Sequence, residues 1–182
     1  MATTKKTTTT KAKATVDTAV ETNVEEVVSK PIIPKEVDVT MEIPVRSAYQ
    51  GDMSYINRHG EIYEWKEFGD VQYLELAELR IAKNTAKKFF VKNYFTFDEG
   101  YEWVPEYLGI GGLYKNCLPA DRFDDLFDEP IEKMQKDIYS MTDAQKETVK
   151  YRAYALIENG TIDSRKVISA LEECLGVELV EK

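Results

Sequence analysis

The side chains in this sequence that could do chemistry are few and lie far apart. His59 is the single histidine, set in the run Asn57-Arg58-His59-Gly60, whose residue types make a tight turn. An imidazole there could act as a general base near neutral pH. A tight turn is a solvated place, however, and no nucleophile elbow or comparable local pattern accompanies it. Cys117 and Cys174 are the two cysteines, and with one histidine they cannot complete a four-ligand soft-metal site within the chain. A reducing compartment leaves them as free, partly buried thiols.

The acidic run Asp121-Arg122-Phe123-Asp124-Asp125-Leu126-Phe127-Asp128-Glu129 invites a calcium reading, because hard cations want clustered carboxylates. Its spacing fails the test: a calcium loop of the EF-hand kind places oxygen ligands at alternate positions, with a central Gly and a terminal Glu. Phe123, Leu126 and Phe127 fall instead at i, i+3 and i+4, which predicts an amphipathic turn with Asp121, Asp124, Asp125 and Asp128 on its wet face. That face is either simply solvated or an electrostatic docking surface. Gly109-Ile110-Gly111-Gly112 lacks the Lys-Ser/Thr or GxGxxG continuation of a phosphate cradle, so it reads as a packing element. Two C-terminal helices around a Gly turn outline a helix-turn-helix. The second carries Arg165 and Lys166 followed by Glu172 and Glu173, too little positive charge for a recognition helix. No catalytic set, metal or cofactor is expected.

Charge narrows the partners. The 182 residues carry a formal net charge of −9 and a pI near 4.8, which disfavours direct binding to nucleic acid or anionic membrane, both polyanions. No run reaches the roughly eighteen consecutive apolar residues of a membrane span, and an apolar leader block is lacking, so synthesis and residence in a cytoplasm are expected. The charge is uneven. Residues 1–13 hold Lys5, Lys6, Lys11 and Lys13 with no acid, whereas residues 97–132 hold ten acids against Lys115 and Arg122.

These residues must be carried by elements legible in the pattern. Residues 1–35 are Thr- and Lys-rich without an aromatic; such a segment cannot bury enough to offset its ordering entropy and is expected to be a disordered arm. From Val37, period-two alternation through Ile43 predicts a strand, with Pro44 confining it to an edge or an end. Three further strands are predicted near residues 53–56, 61–65 and 71–74, bounded by Gly51, residues 57–60 and Gly69-Asp70. Together they make a small antiparallel sheet or barrel-like module. Helical spacing follows at Leu76, Leu79 and Ala82, and again over residues 86–94.

Residues 96–140 read as a loop-rich acidic segment packed on the sheet by Trp103, Tyr107 and Tyr114. Thr142 with Gln145 is a capping-box pattern before a helix ending at Asn159-Gly160, and Asp163 or Ser164 opens another that Gly176 closes. The fold class is therefore α+β: a disordered arm (1–35), a β-rich module running into helices (36–95), the acidic segment (96–140) and a C-terminal helical hairpin (141–182).

Val45-Arg46-Ser47, Gly51, Tyr55, Gly60, Trp65, Phe68-Gly69-Asp70, residues 76–79, Asn84, Lys88-Phe89-Phe90 and Asn93 resemble a small protein encoded among the virion genes of tailed bacteriophages of Gram-positive hosts. The resemblance covers residues 45–95. The terminal Ala170-Leu171-Glu172-Glu173-Cys174-Leu175-Gly176 is similar to the ends of other phage structural proteins. The resemblance implies a virion or assembly component without enzymatic activity, in the host cytoplasm before assembly, and it carries over no catalytic residue. The expected partners are other virion proteins or further copies of the chain, in an oligomeric assembly. Residues that would meet them are Lys5, Lys6, Lys11 and Lys13 in the arm, Trp65 and Phe68 on the sheet, and Asp121, Asp124, Asp125 and Asp128 in the acidic run. A different class stays open: an acidic adaptor or inhibitor that binds a host protein, with residues 97–132 imitating a polyanion.

Overall fold

A computed structural model of the chain describes residues 31–118 and 120–180. Residues 1–30, with Lys5, Lys6, Lys11 and Lys13 among them, lie outside the described residues. The class is α+β, in the chain order β1 (Glu42–Ser47), β2 (Met53–Ile56), β3 (Ile62–Trp65), β4 (Val71–Glu75), α1 (Leu76–Thr85), α2 (Lys87–Val91), β5 (Phe95–Phe97), α3 (Trp103–Tyr107), α4 (Asp125–Asp128), α5 (Ile131–Ser140), α6 (Asp143–Glu158) and α7 (Arg165–Leu175), with short 3-10 turns at Gly111–Tyr114 and Ala120–Arg122.

The strands form two small antiparallel sheets, β4-β1-β5 and the β2-β3 hairpin, rather than a closed barrel. β2 and β3 pair Tyr55 with Tyr63 and Ile56 with Ile62. Gly60, at φ 84°, closes the connecting turn through its N–H to Asn57 O (3.0 Å), a left-handed conformation that favours glycine.

The first strand differs from its expected place. It runs over residues 42–47, contains Pro44, and sits at the centre of its sheet. Ser47 N donates to Asp70 O while Ala48 N donates to Tyr94 O, so odd positions of β1 hydrogen-bond towards β4 and even positions towards β5. β5 pairs only with residues 45–47. Pro44 therefore stands where its missing N–H has no ladder partner to lose. The residues before it do other work. Leu76 N and Ala77 N donate to Met41 O and Val39 O, so this segment satisfies orphan donors at the start of α1, where Glu75 offers no side-chain cap.

Apolar side chains sort into two clusters. The first gathers Ile43, Val45, Trp65, Leu74, Leu79, Phe90 and Phe95 from the sheets, α1 and α2. The second gathers Phe123, just before α4, with Leu126, Met134, Ile138, Val149 and Leu171 from α4 to α7. Residues 96–140 contribute to both, and are more helical than their glycines and prolines suggested. α5 packs against α7, so the C-terminal pair is joined by a third helix. The α6 capping box is present on both sides: Gln145 N donates to Thr142 Oγ1 (3.4 Å) and Thr142 N to Gln145 Oε1 (3.3 Å). Gly176 ends α7 in the left-handed region at φ 64°.

Candidate functional site

The acidic run is built as the spacing predicted, as a ridge with a buried keel. Phe123, Leu126 and Phe127 point into the second core, while Asp121, Asp125 and Asp128 are exposed. Burying three large apolar side chains fixes the ridge to the body at roughly 1.5–3 kcal/mol each, so its carboxylates stand at set positions. The 3-10 turn Ala120–Arg122 rests against β1.

Asp124 has a different role from its neighbours. Its two oxygens accept from Arg152 Nε (2.8 Å) and Nη2 (2.5 Å), a bidentate pair that holds α4 to α6. The same guanidinium lies 4.4 Å from the ring centre of Phe68, and Phe68 meets Phe123 edge-on at 5.4 Å. Phe68, on the turn between β3 and β4, is thereby half-buried against the second core. A second latch of the same type joins Arg46 to Asp98 (2.8 and 2.7 Å), with Arg46 Nη1 also donating to Gly69 O (2.8 Å).

Trp65 is not available to a partner. It is fully buried, stacks obliquely on Phe95 at 5.0 Å, and its Nε1–H donates to Val45 O (2.9 Å). Aromatic strand residues alternate between faces, and Trp65 falls on the core side of β3. On the outward side the hairpin presents the cross-strand pair Ile56 and Ile62, about 60% exposed each.

The remaining groups of chemical interest lie apart. His59 is exposed in its turn, its Nε2 accepting from Arg58 Nε (3.1 Å). Cys117 and Cys174 are both free thiols, and burial pushes Cys117 up to about 12, with the Gln145 side chain pulling weakly the other way. Among the described residues no three His, Cys, Asp or Glu side chains converge as metal ligands, and no helix is long and apolar enough to cross a membrane.

One small cavity, of about 10 Å³, is lined by apolar Ala48, Leu118, Phe123 and Met141 together with Asn93, Thr96, Cys117, Gln145 and Thr148. Asn93 Oδ1 and Gln145 Nε2 are buried there without a hydrogen-bond partner. Asn93 itself sits at φ 51°, a region Asn tolerates better than most residues.

A feature that the sequence reading passed over is the inverse of the acidic ridge. Residues 79–97 carry Arg80, Lys83, Lys87, Lys88 and Lys92 and no acid, a signal visible in a simple running charge count. Folding brings part of this stretch beside Tyr49: the Tyr49 and Tyr94 rings are 4.9 Å apart, and Lys88 Nζ lies 5.8 Å from the Tyr94 ring centre. No protein-family model, curated protein or solved structure matches the chain.

Proposed function

We propose that this protein is a non-enzymatic structural component of a tailed-phage virion, an accessory of capsid, neck or tail that binds neighbouring subunits. The observation that carries the reading is the ridge: Asp121, Asp125 and Asp128 project from a segment whose apolar residues and Asp124–Arg152 latch lock it to the body. A rigid array of carboxylates needs no ordering on binding, so complementary charge on a neighbour contributes to orientation and capture at little entropic cost. Lys5, Lys6, Lys11 and Lys13, free of intervening acids, supply such charge within the same chain. Individual contacts of this sort are weak and salt-screened; many copies in an assembly make them effective.

Mass spectrometry of purified virions from the source phage, with copy number measured against the portal protein, tests the proposal. Presence in several copies per particle is the expected result. Absence from virions, with a host protein recovered in pull-downs, overturns it in favour of an acidic adaptor that binds a host component.

A further inference from the structure

The face opposite in sign to the ridge is assembled from three separate parts of the chain. Tyr49 follows β1, Lys88 and Val91 stand on α2, Tyr94 precedes β5, and Lys150 and Tyr151 stand on α6. Lys92 Nζ reaches Glu147 at 2.8 Å, which ties α2 to α6 and closes the patch. Lys150 Nζ lies 4.6 Å from the Tyr151 ring centre. Tyr49, Val91 and Tyr151 are 38, 40 and 48% exposed, so the patch offers apolar and aromatic area as well as charge. Exposed tyrosines are enriched at interface centres, and lysines around them give a charged rim.

Neither side of the charge balance is used up within the fold. Among the described residues Lys87, Lys88 and Lys150 pair with no carboxylate, and Asp125 and Asp128 pair with no cation. We propose that this tyrosine–lysine face docks the acidic ridge of a second copy of the chain, head to tail. The inference rests on the structural-component reading and names the partner: the next subunit. Charge complementarity selects the occupant: the chain as a whole is at −9, so copies repel except where cationic surface meets the ridge, and apart from the N-terminal lysines this face is the cationic surface that the folded body itself offers. Face and ridge are different surfaces, so the contact is heterologous. Repetition of such a contact closes a ring or runs on as an open filament.

Sedimentation of the full chain at low and high salt is the test. At about 50 mM salt, where screening reaches only about 14 Å, the protein should self-associate, and at about 0.5 M the association should weaken at least tenfold. The double variants Lys87→Glu/Lys88→Glu and Asp125→Lys/Asp128→Lys alter exposed residues and should each stay folded and monomeric. Mixed in equal amounts they should associate again, because each reversed surface then faces its complement. Tyr49→Ala with Tyr151→Ala should weaken association without abolishing its salt dependence. A wild-type monomer at every salt concentration, or folded variants whose mixture does not associate, overturns the contact. If the protein is nevertheless found in virions, the structural reading stands and this interface falls. Restored association in a protein missing from virions does the opposite.

Discussion

The guanidinium of Arg152 lies 4.4 Å from the ring centre of Phe68 while gripping both oxygens of Asp124. One side chain on α6 thus holds the turn between β3 and β4 and the acidic ridge in a fixed relation, joining the two cores. Cation–π attraction and a bidentate ion pair both act through it. Asp124 is about half exposed, which keeps the ion-pair share small.

Replacing Arg152 by Ala should therefore cost about 1–2 kcal/mol, read as a lower urea midpoint with an unchanged m value. Arg152→Lys should recover less than half of the loss, because an ammonium cannot grip both carboxylate oxygens from a plane stacked on Phe68. Full recovery by Lys would show that charge alone matters here. Equal losses for Arg152→Ala and Asp124→Asn would assign the whole effect to the ion pair and none to the ring.

Trp65→Phe should destabilise by about 1.5–3 kcal/mol, since it opens space in the first core and removes the Nε1–H bond to Val45 O. Ile56→Thr with Ile62→Thr, on the outward face of the same hairpin, should shift stability by no more than about 0.5–1 kcal/mol. A small effect at Trp65 with a large one at Ile56 and Ile62 would mean that the two faces of the hairpin are assigned the wrong way round.

The contrast between those faces marks how far the sequence could be read. β2, β3 and β4 alternate and are separated by the turns at Gly60 and Gly69, α1 shows helical spacing, and α6 and α7 carry caps; local signals sufficed for all of these. β5 escaped because Phe95, Thr96 and Phe97 are all buried, so a strand covered on both sides shows no alternation. α5 escaped because Ile131, Met134 and Ile138 are spaced among seven polar or charged residues, and only its packing on α7 makes that spacing matter. Trp65 was misassigned because residue type alone cannot say which face of a strand meets the core. The ridge was legible, since Phe123, Leu126 and Phe127 report their own burial. The tyrosine–lysine face was not, because Tyr49, Tyr94 and Tyr151 become neighbours only when the chain folds.

The cavity lined by Asn93 and Gln145 should hold one ordered water. Asn93 Oδ1 accepts and Gln145 Nε2 donates, and both are buried without a partner beside about 10 Å³ of space, close to the volume a single water needs. Leaving both groups unmet would cost on the order of 1–3 kcal/mol each, which a bridging water would offset. A crystal structure at about 1.8 Å or better should show density within hydrogen-bond distance of both atoms. A dry cavity, with the two amides turned to meet one another, Thr148 or the Cys117 thiol, would sink this prediction.

Stability should also fall on the alkaline side, for a reason visible in two hydroxyls and one thiol that the fold shields in whole or in part. Burial raises Tyr55, whose hydroxyl donates to buried Glu78, and raises Tyr114, whose hydroxyl donates to Phe95 O at 2.8 Å. Burial likewise takes Cys117 from 9.0 to about 12. Each group is neutral when protonated, and the folded state holds its proton more tightly than the unfolded chain does. Their contribution is therefore complete below about pH 9, where both states are protonated. It declines as the unfolded chain begins to ionise, and it is lost as pH rises through the folded values. The urea midpoint should be flat between about pH 7 and 8.5 and then decrease steadily. Cys117→Ala should start lower, having lost packing, but decline less steeply between about pH 9 and 12, with the tyrosines supplying what slope remains. Iodoacetamide at about pH 8 should label Cys117 only after unfolding, since the thiolate is the reactive form. Rapid labelling of Cys117 in the native protein, or identical pH slopes for Cys117→Ala and the wild type, would show that this thiol is not held protonated by the fold.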